Sequence, residues 1–256
     1  MIACAEPDAA AAELESALGI TCTGGGRHER FGTRNRIAWL ADGSYLELIG
    51  IEDPDLVETT PVGLAARRIL DERGAGLATY ALRVQDLEAT VAGLRAAGSS
   101  LGPVLHGSRT RDDGELVEWW AAFPDGPLSP TASPFLIEHA GTGAEWGHEA
   151  MAERARFVHP MGSPVVLARL DVAAAEPASV AAELHQQTGI DLWAVADLAV
   201  ADIGPHVIRF VPRREMPVPA VITLGADVDA PRTVELLGLR IDVARVELPI
   251  PAPNLV

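Results

Sequence analysis

The sequence predicts an α+β protein made of paired βαβββ modules with a third, degenerate module after them. Three observations carry this reading: a stretch that recurs along the chain, strand-like runs after each copy, and glycine- or proline-bearing turns between the runs. The 256 residues, 48% of them hydrophobic, suffice for one large core or two moderate ones without a covalent staple.

The repeat is direct. The segment from Glu6-Pro7 to Gly19-Ile20 aligns with that from Glu176-Pro177 to Gly189-Ile190 at an offset of 170, with eight of fifteen positions identical. A weaker copy runs from Val84 to Gly98. Each copy reads as a strand exit, a helix opened by an acidic or proline turn, and a glycine stop at Gly19, Gly98 or Gly189. After the first helix, strands are expected at Ile20 to Thr23, Arg36 to Leu40 and Tyr45 to Ile51. Gly24-Gly25-Gly26 is read as a turn and Asp42-Gly43 as a hairpin. Pro61 to Arg73 is a helical connector. The second module comprises Leu77 to Val84, a helix from Asp86 to Ala97, and strands near Val104 to His106, Leu116 to Phe123 and Phe135 to His139. The third has strands at Leu192 to Val200, His206 to Val211, Ala220 to Leu224 and Leu236 to Val243. Residues 1–142 are thus expected to form a two-module domain, 143–163 a connector with a helix over Glu145 to Arg156, and 164–256 the degenerate module.

A formal net charge of −16 repels phosphate backbones and anionic membrane surfaces, which argues against nucleic-acid and membrane partners. All twenty basic residues are arginine, so lysine Schiff-base and lysine general-base chemistry are excluded. Cys4 and Cys22 are too few for a disulfide framework and read as free thiols in strands. No apolar run approaches the roughly 20 residues that cross a bilayer, and MIACAEPDAA lacks the pattern of a secretion signal. A cytoplasmic location is the expectation.

The stretch Gly25-Gly26-Arg27-His28-Glu29-Arg30-Phe31-Gly32-Thr33-Arg34-Asn35, followed by Leu40-Ala41-Asp42-Gly43-Ser44-Tyr45-Leu46-Glu47-Leu48-Ile49-Gly50, resembles the signature of the glyoxalase-like domain family of the vicinal oxygen chelate superfamily. The repeat extends that resemblance over residues 1 to 142. It implies a cupped mixed sheet around a small-molecule cavity, and a divalent metal (Zn, Mn, Fe, Ni or Mg) held by His or Glu from first and last strands. On the last strands the candidates are Glu47 and Glu138, as metal ligands or as catalytic acid and base. On the first strands, counting back seven residues from Asp8 and Asp86 gives Met1 and Thr79, neither a good ligand, so the metal set is incomplete.

Arg27, His28 and Asn35, in or beside the glycine-rich turn, are the expected substrate-binding groups together with Trp119. Arg27 suits a carboxylate or enolate, and His28 a proton carrier near neutral pH. His139, next to Glu138, is expected on the opposite sheet face. His159 is a candidate for closing over the cavity. Two functions follow: an isomerase, lyase or related enzyme on an oxygen-rich metabolite, or a protein that binds and sequesters a small molecule. The partner is a small-molecule ligand, and a homodimer is left open.

Overall fold

The computed structural model describes residues 1–246. The first module comprises β1 (Ile2–Cys4), α1 (Pro7–Leu18), β2 (Gly24–His28), β3 (Thr33–Trp39) and β4 (Tyr45–Ile51). Two helices, α2 (Pro54–Val57) and α3 (Pro61–Arg73), lead to β5 (Ala75–Leu77). The second module follows as β6 (Ala81–Arg83), α4 (Leu87–Ala96), β7 (Leu105–Thr110), β8 (Leu116–Ala122) and β9 (Phe135–His139). Each first strand runs parallel to the last strand of its module, β1 beside β4 and β6 beside β9, which requires the helical crossover between them.

The nine strands form one sheet in the order β5-β1-β4-β3-β2-β7-β8-β9-β6. Its two edge strands, β5 and β6, are separated along the chain only by Ala78 to Tyr80. The sheet therefore begins and ends on one continuous run and curls round on itself into a barrel-like cup. Strand alternation then divides every strand between lumen and outside. On β4, Glu47 and Ile49 face inward while Leu46 and Leu48 join the outer core.

The two modules meet where β2 pairs with β7, at Arg27 and Thr110. Here the structure corrects the reading of Gly24-Gly25-Gly26 as a turn, because these glycines lie inside β2. Backbone crowding explains the composition. A Cβ on Gly25 (φ 140°) would sit 2.4 Å from the Asn35 carbonyl oxygen, and one on Gly26 (φ 158°) 2.2 Å from that of Thr110. The turn lies instead between His28 and Thr33.

α5 (Gly143–Trp146) and α6 (His148–Arg154) replace the single helix expected across Glu145 to Arg156; they abut at Gly147, whose extended backbone (ψ 157°) interrupts the helical path. The second sheet contains β10 (Val165–Ala174), β11 (Trp193–Val195), β12 (Leu198–Ile203), β13 (His206–Pro212), β14 (Ala220–Ala226), β15 (Arg232–Leu236) and β16 (Leu239–Arg245), with α7 (Pro177–Thr188) crossing from β10. α1 and α7 are both 12 residues long and both end on a left-handed glycine, Gly19 (φ 69°) and Gly189 (φ 70°). β10 is parallel to β13 as β1 is to β4. Beyond β13, β14 runs parallel to β16, a partial fourth unit that the sequence did not suggest. One hairpin was hidden within the expected single strand Leu192 to Val200, and another has its first strand ahead of the expected Leu236 to Val243. Their turns use Ala196 (φ 54°) and Leu237 (φ 52°), side-chain-bearing residues in a backbone region that glycine or asparagine normally signals.

One apolar cluster joins the barrel to the second sheet, with Leu14 and Leu18 of α1, Leu48 of β4, Leu184 of α7 and Phe210 of β13 all buried in it. At about 1.5–3 kcal/mol per buried large side chain, this layer fixes the second sheet against the barrel's outer wall. No helix described here is long and apolar enough to cross a membrane.

Replacing Gly26 with alanine should lower stability by about 2 kcal/mol or more, since the added Cβ meets backbone that cannot yield. Gly93, inside α4 with nothing near its Cβ position, should instead gain about 0.5–1 kcal/mol from the same change. Denaturant midpoints of the two variants test this; a Gly26→Ala protein as stable as the parent would show that the seam is loose.

Candidate functional site

The barrel encloses much of a cavity of about 920 Å³. Its polar centre is a pair on adjacent strands. Asn35 of β3 donates from Nδ2 to Glu47 Oε1 of β4 at 2.7 Å, and both side chains are buried. The second carboxylate oxygen receives no hydrogen bond from the described residues, and Asn35 Oδ1 is buried without a partner. Because Nδ2 is committed to the carboxylate, Oδ1 is left as a buried acceptor that no donor among the described residues meets. Buried polar groups are costly when unpaired, so these open positions mark a place for a ligand's donor.

The wall around the pair is aromatic. His28 of β2 stands edge-on to Trp119 of β8, their ring centroids 5.5 Å apart, and its Nδ1 is 2.8 Å from Thr33 Oγ1. His139 of β9 stacks on Trp146 of α5 at 3.6 Å and meets Tyr45 edge-on. Its Nδ1 is buried with no partner among the described residues. Burial, seconded by the Arg109 charge, pushes the His28 pKa down to about 3. Burial beside Arg83, Arg109 and Arg154 does the same to His139, also to about 3. Burial thus favours the neutral form of both imidazoles at pH 7, which speaks against His28 as a proton carrier near neutrality.

Arg109 of β7 also lines the cavity, but both ends of its guanidinium are taken. Nη1 donates to the Gly25 carbonyl at 2.7 Å and Nη2 to Glu145 of α5. Arg109 and Glu145 are each almost fully buried, a pair whose disruption strands a charge. It holds α5, and with it Trp146, against the Trp39–Tyr45–His139 end of the barrel. Arg154 of α6 stacks on Trp39 at 3.3 Å, and α3 packs Ala65, Ala66 and Ile69 against Ala3, Ile49 and Ala78 of the wall.

Four of the residues expected at the site, His28, Asn35, Glu47 and Trp119, line this cavity. Two are elsewhere. Arg27 is exposed and paired with Glu52 at 2.8 Å, since its neighbour His28 takes the inward position. Glu138 accepts a hydrogen bond from the Leu87 backbone N–H at 2.9 Å, at the first residue of α4 outside the barrel, where a carboxylate suits a helix N-terminus. Strand parity instead sends Phe135, Ile137 and His139 inward. His139 was legible as lying opposite Glu138, but which of the two faced the cavity was not. His159 closes nothing. Its Nε2 is 3.0 Å from the Trp39 carbonyl and its Nδ1 accepts from the Thr21 N–H, which ties the connector to the barrel. Tyr45, Arg109 and Trp146 were missed; only strand parity could have suggested Tyr45, two residues before Glu47.

The structure also corrects the register between modules. α1 and α4 begin after Glu6 and Asp86, which share an extended conformation (φ −129° and −130°). Aligned there, Met1 matches Ala81, not Thr79. Ala81 pairs with Phe135, and Ile2 with Leu48, so one step back Met1 flanks Glu47. The second module's counterpart of Glu47 is therefore Phe135. Among the described residues no group of three or more His, Cys, Asp or Glu side chains is placed to hold a metal ion. Glu47, Asp42, His28 and His139 line the cavity without forming such a group, so they do not make the ligand set that a catalytic divalent metal needs, and no step is assigned to a metal.

Residues 1–188 match the family model of the glyoxalase-like domain. None of the curated proteins matches the sequence. Among solved structures, a hypothetical protein from Staphylococcus aureus superposes with a TM-score of 0.69 at 16% identity, covering 89% of this chain and 91% of that one. A mutant of 4-hydroxymandelate synthase from Streptomyces coelicolor gives 0.52 at 13% identity, over 89% of this chain and 69% of that one. A methylmalonyl-CoA epimerase from Streptomyces coelicolor shares 23% identity over 54% of this chain and 93% of its own, with a TM-score of 0.39. The first two of these likenesses show the glyoxalase-like, vicinal-oxygen-chelate fold.

The two histidines make stability depend on pH with a definite sign. As pH falls below about 6.5, the unfolded chain protonates them before the folded chain does. Stability from this source is complete above about 6.5 and is lost progressively towards pH 3, at up to about 1.4 kcal/mol per pH unit for each histidine. Unfolding free energies at pH 7, 5.5 and 4.5 should show this slope, and a variant with His28→Asn and His139→Asn should flatten it. An unchanged slope would mean that both rings protonate freely in the folded protein.

Proposed function

The chain belongs to the glyoxalase-like domain family, and on that premise we propose that it is a small-molecule enzyme, an isomerase or lyase that moves a proton on an oxygen-bearing substrate. The observation that carries this is the Asn35–Glu47 pair, with one open carboxylate oxygen and one orphaned acceptor inside an aromatic-walled cavity. Glu47 is the proton acceptor. Its geometry is fixed by Asn35, so little reorganisation accompanies transfer. A substrate hydroxyl or N–H donates to Asn35 Oδ1, which sets the substrate's orientation. A neutral imidazole, His28 or His139, donates to the oxygen on which negative charge develops, the role an uncharged histidine serves well because it need not give up its proton. Trp119 and Trp146 supply flat apolar walls for a planar intermediate. Asp42, the other carboxylate lining the cavity, is spent on Ser44 and on the Leu167 backbone N–H at 2.6 Å.

A second reading, sequestration without turnover, is favoured by one feature. The cavity is lined chiefly by apolar and aromatic groups, with both guanidinium ends of Arg109 already engaged, an environment that holds a neutral ligand well and offers no free cation from Arg109 to an enolate.

The test is exchange of carbon-bound protons next to carbonyls in deuterated water, followed by NMR for a panel beginning with dihydroxyacetone. Glu47→Gln should slow exchange of an accepted substrate by about a hundredfold or more. Asn35→Ala should weaken ligand binding by about 1–3 kcal/mol. Glu138→Gln and Arg27→Ala, outside the cavity, should stay within twofold of the parent. Tight retention of a small molecule in native mass spectra, with no exchange on any compound it displaces, would establish sequestration instead.

A further inference from the structure

The cavity's lining falls into two sets that strand alternation separates. Glu47, Ala81 and their neighbours face the lumen. Leu46, Leu77 and Leu82 alternate outward on the same strands, and across from them stand Leu170, Ile208 and Ile222 of the second sheet. We infer that this space between the barrel wall and the second sheet is a binding chamber of its own, for a mainly aliphatic molecule that carries one hydrogen-bonding oxygen.

Three observations support it. First, these leucines and isoleucines line open space, although all of them but Leu82 are buried members of their apolar cluster. Protein interiors close such gaps, because an unfilled void forfeits contacts along its whole lining. Second, Tyr80 belongs to this outer cluster and lines the space; its ring is buried, and its hydroxyl has no hydrogen-bond partner among the described residues. A buried phenol costs free energy until an acceptor or donor meets it. Third, the chamber has a way in. The β12–β13 turn at Gly204-Pro205 is exposed and contributes to the lining, and His206 beside it anchors Nδ1 to the Leu167 carbonyl at 2.7 Å.

The chemistry of the walls selects the ligand. The lumen is aromatic and holds a carboxylate; the chamber is aliphatic and holds one hydroxyl. Branched aliphatic surface favours a flexible chain or alicyclic body over a stacked planar ring, and Tyr80 provides a single point of polar registration. The chamber is continuous with the lumen as one cavity, but its lining residues are distinct from those assigned to proton transfer.

The probe is 1-octanol, titrated calorimetrically into the full chain and followed by ligand-observed NMR. It should bind, and Ile222→Trp and Ile208→Phe, which fill the space, should each weaken it at least tenfold. Tyr80→Phe, a change too small to unfold the protein, should weaken it about three- to tenfold. Asn35→Ala and Trp119→Ala should leave octanol affinity unchanged, and Tyr80→Phe should leave proton exchange in the lumen within twofold. The inference is overturned if octanol fails to bind up to its solubility limit, if Tyr80→Phe binds it as the parent does, or if the lumen variants weaken it as much as the chamber variants.

Discussion

Closure of the first sheet is the constraint on which the site depends. The run from Ala75 to Arg83 contributes its first part to one sheet edge, beside β1, and its last part to the other, beside β9. A bend at Ala78 to Tyr80 lets it do both, and the Ala78 N–H reaches the Met1 carbonyl at 3.0 Å across the junction. An open sheet would let side chains on either face find solvent. A closed one gives each position a single environment, so the inward side chains of β3, β4, β8 and β9 must satisfy one another or await a ligand. Asn35 and Glu47 manage half of this between themselves, and the unsatisfied half is the functional feature.

The same closure governs access. α3 covers the barrel where Ala3, Ile49 and Ala78 lie, and α5 covers it at Trp39, Tyr45 and His139. The covering elements are held differently. α3 is held by small apolar contacts, whereas α5 is held by the Arg109–Glu145 pair, with Arg111 adding a second cation at 3.2 Å. An ion pair buried on both sides is a poor source of net stability but a specific one, since only one arrangement satisfies it. Arg109 therefore positions the Trp146 wall, with both ends of its guanidinium engaged by Gly25 and Glu145.

Much of this was legible in the chain. The offset of 170 between Glu6-Pro7 and Glu176-Pro177 marks equivalent helices, and the turn motif carrying His28 and Asn35 was found because its residue types are unusual together. What escaped has two causes. Gly24 to Gly26 looks like a turn because glycine is equally the residue of bends and of crowded strand crossings, and only pairing tells them apart. Glu138 looked like the partner of Glu47 because both are acids in apolar last strands. Parity along one strand is readable, but its phase relative to the barrel axis is set by hydrogen-bond register, and in β9 that register turns His139 inward.

Comparing the position of Glu47 across modules shows how differently the three fill it. The offset of 170 places Asp171 where Met1 stands, and β10 pairs Asp171 with Arg209, the counterpart of Glu47. Asp171 accepts from Arg209 at 2.6 and 2.7 Å and from Arg169 at 3.0 Å, a carboxylate fully consumed by guanidinium groups. In the second module the same pair of positions holds Ala81 and Phe135, with nothing to protonate. One architecture thus carries three solutions at one place: an ion pair that neutralises itself, an apolar contact that needs no partner, and a carboxylate held by a neutral amide. Only the last keeps an oxygen free inside a cavity. An amide fixes the carboxylate's orientation without supplying a counter-charge, whereas an arginine supplies both and leaves no capacity for proton transfer. At this place the first module sets a carboxylate, held by the neutral amide of Asn35 on the neighbouring strand, where the third unit sets the arginine Arg209.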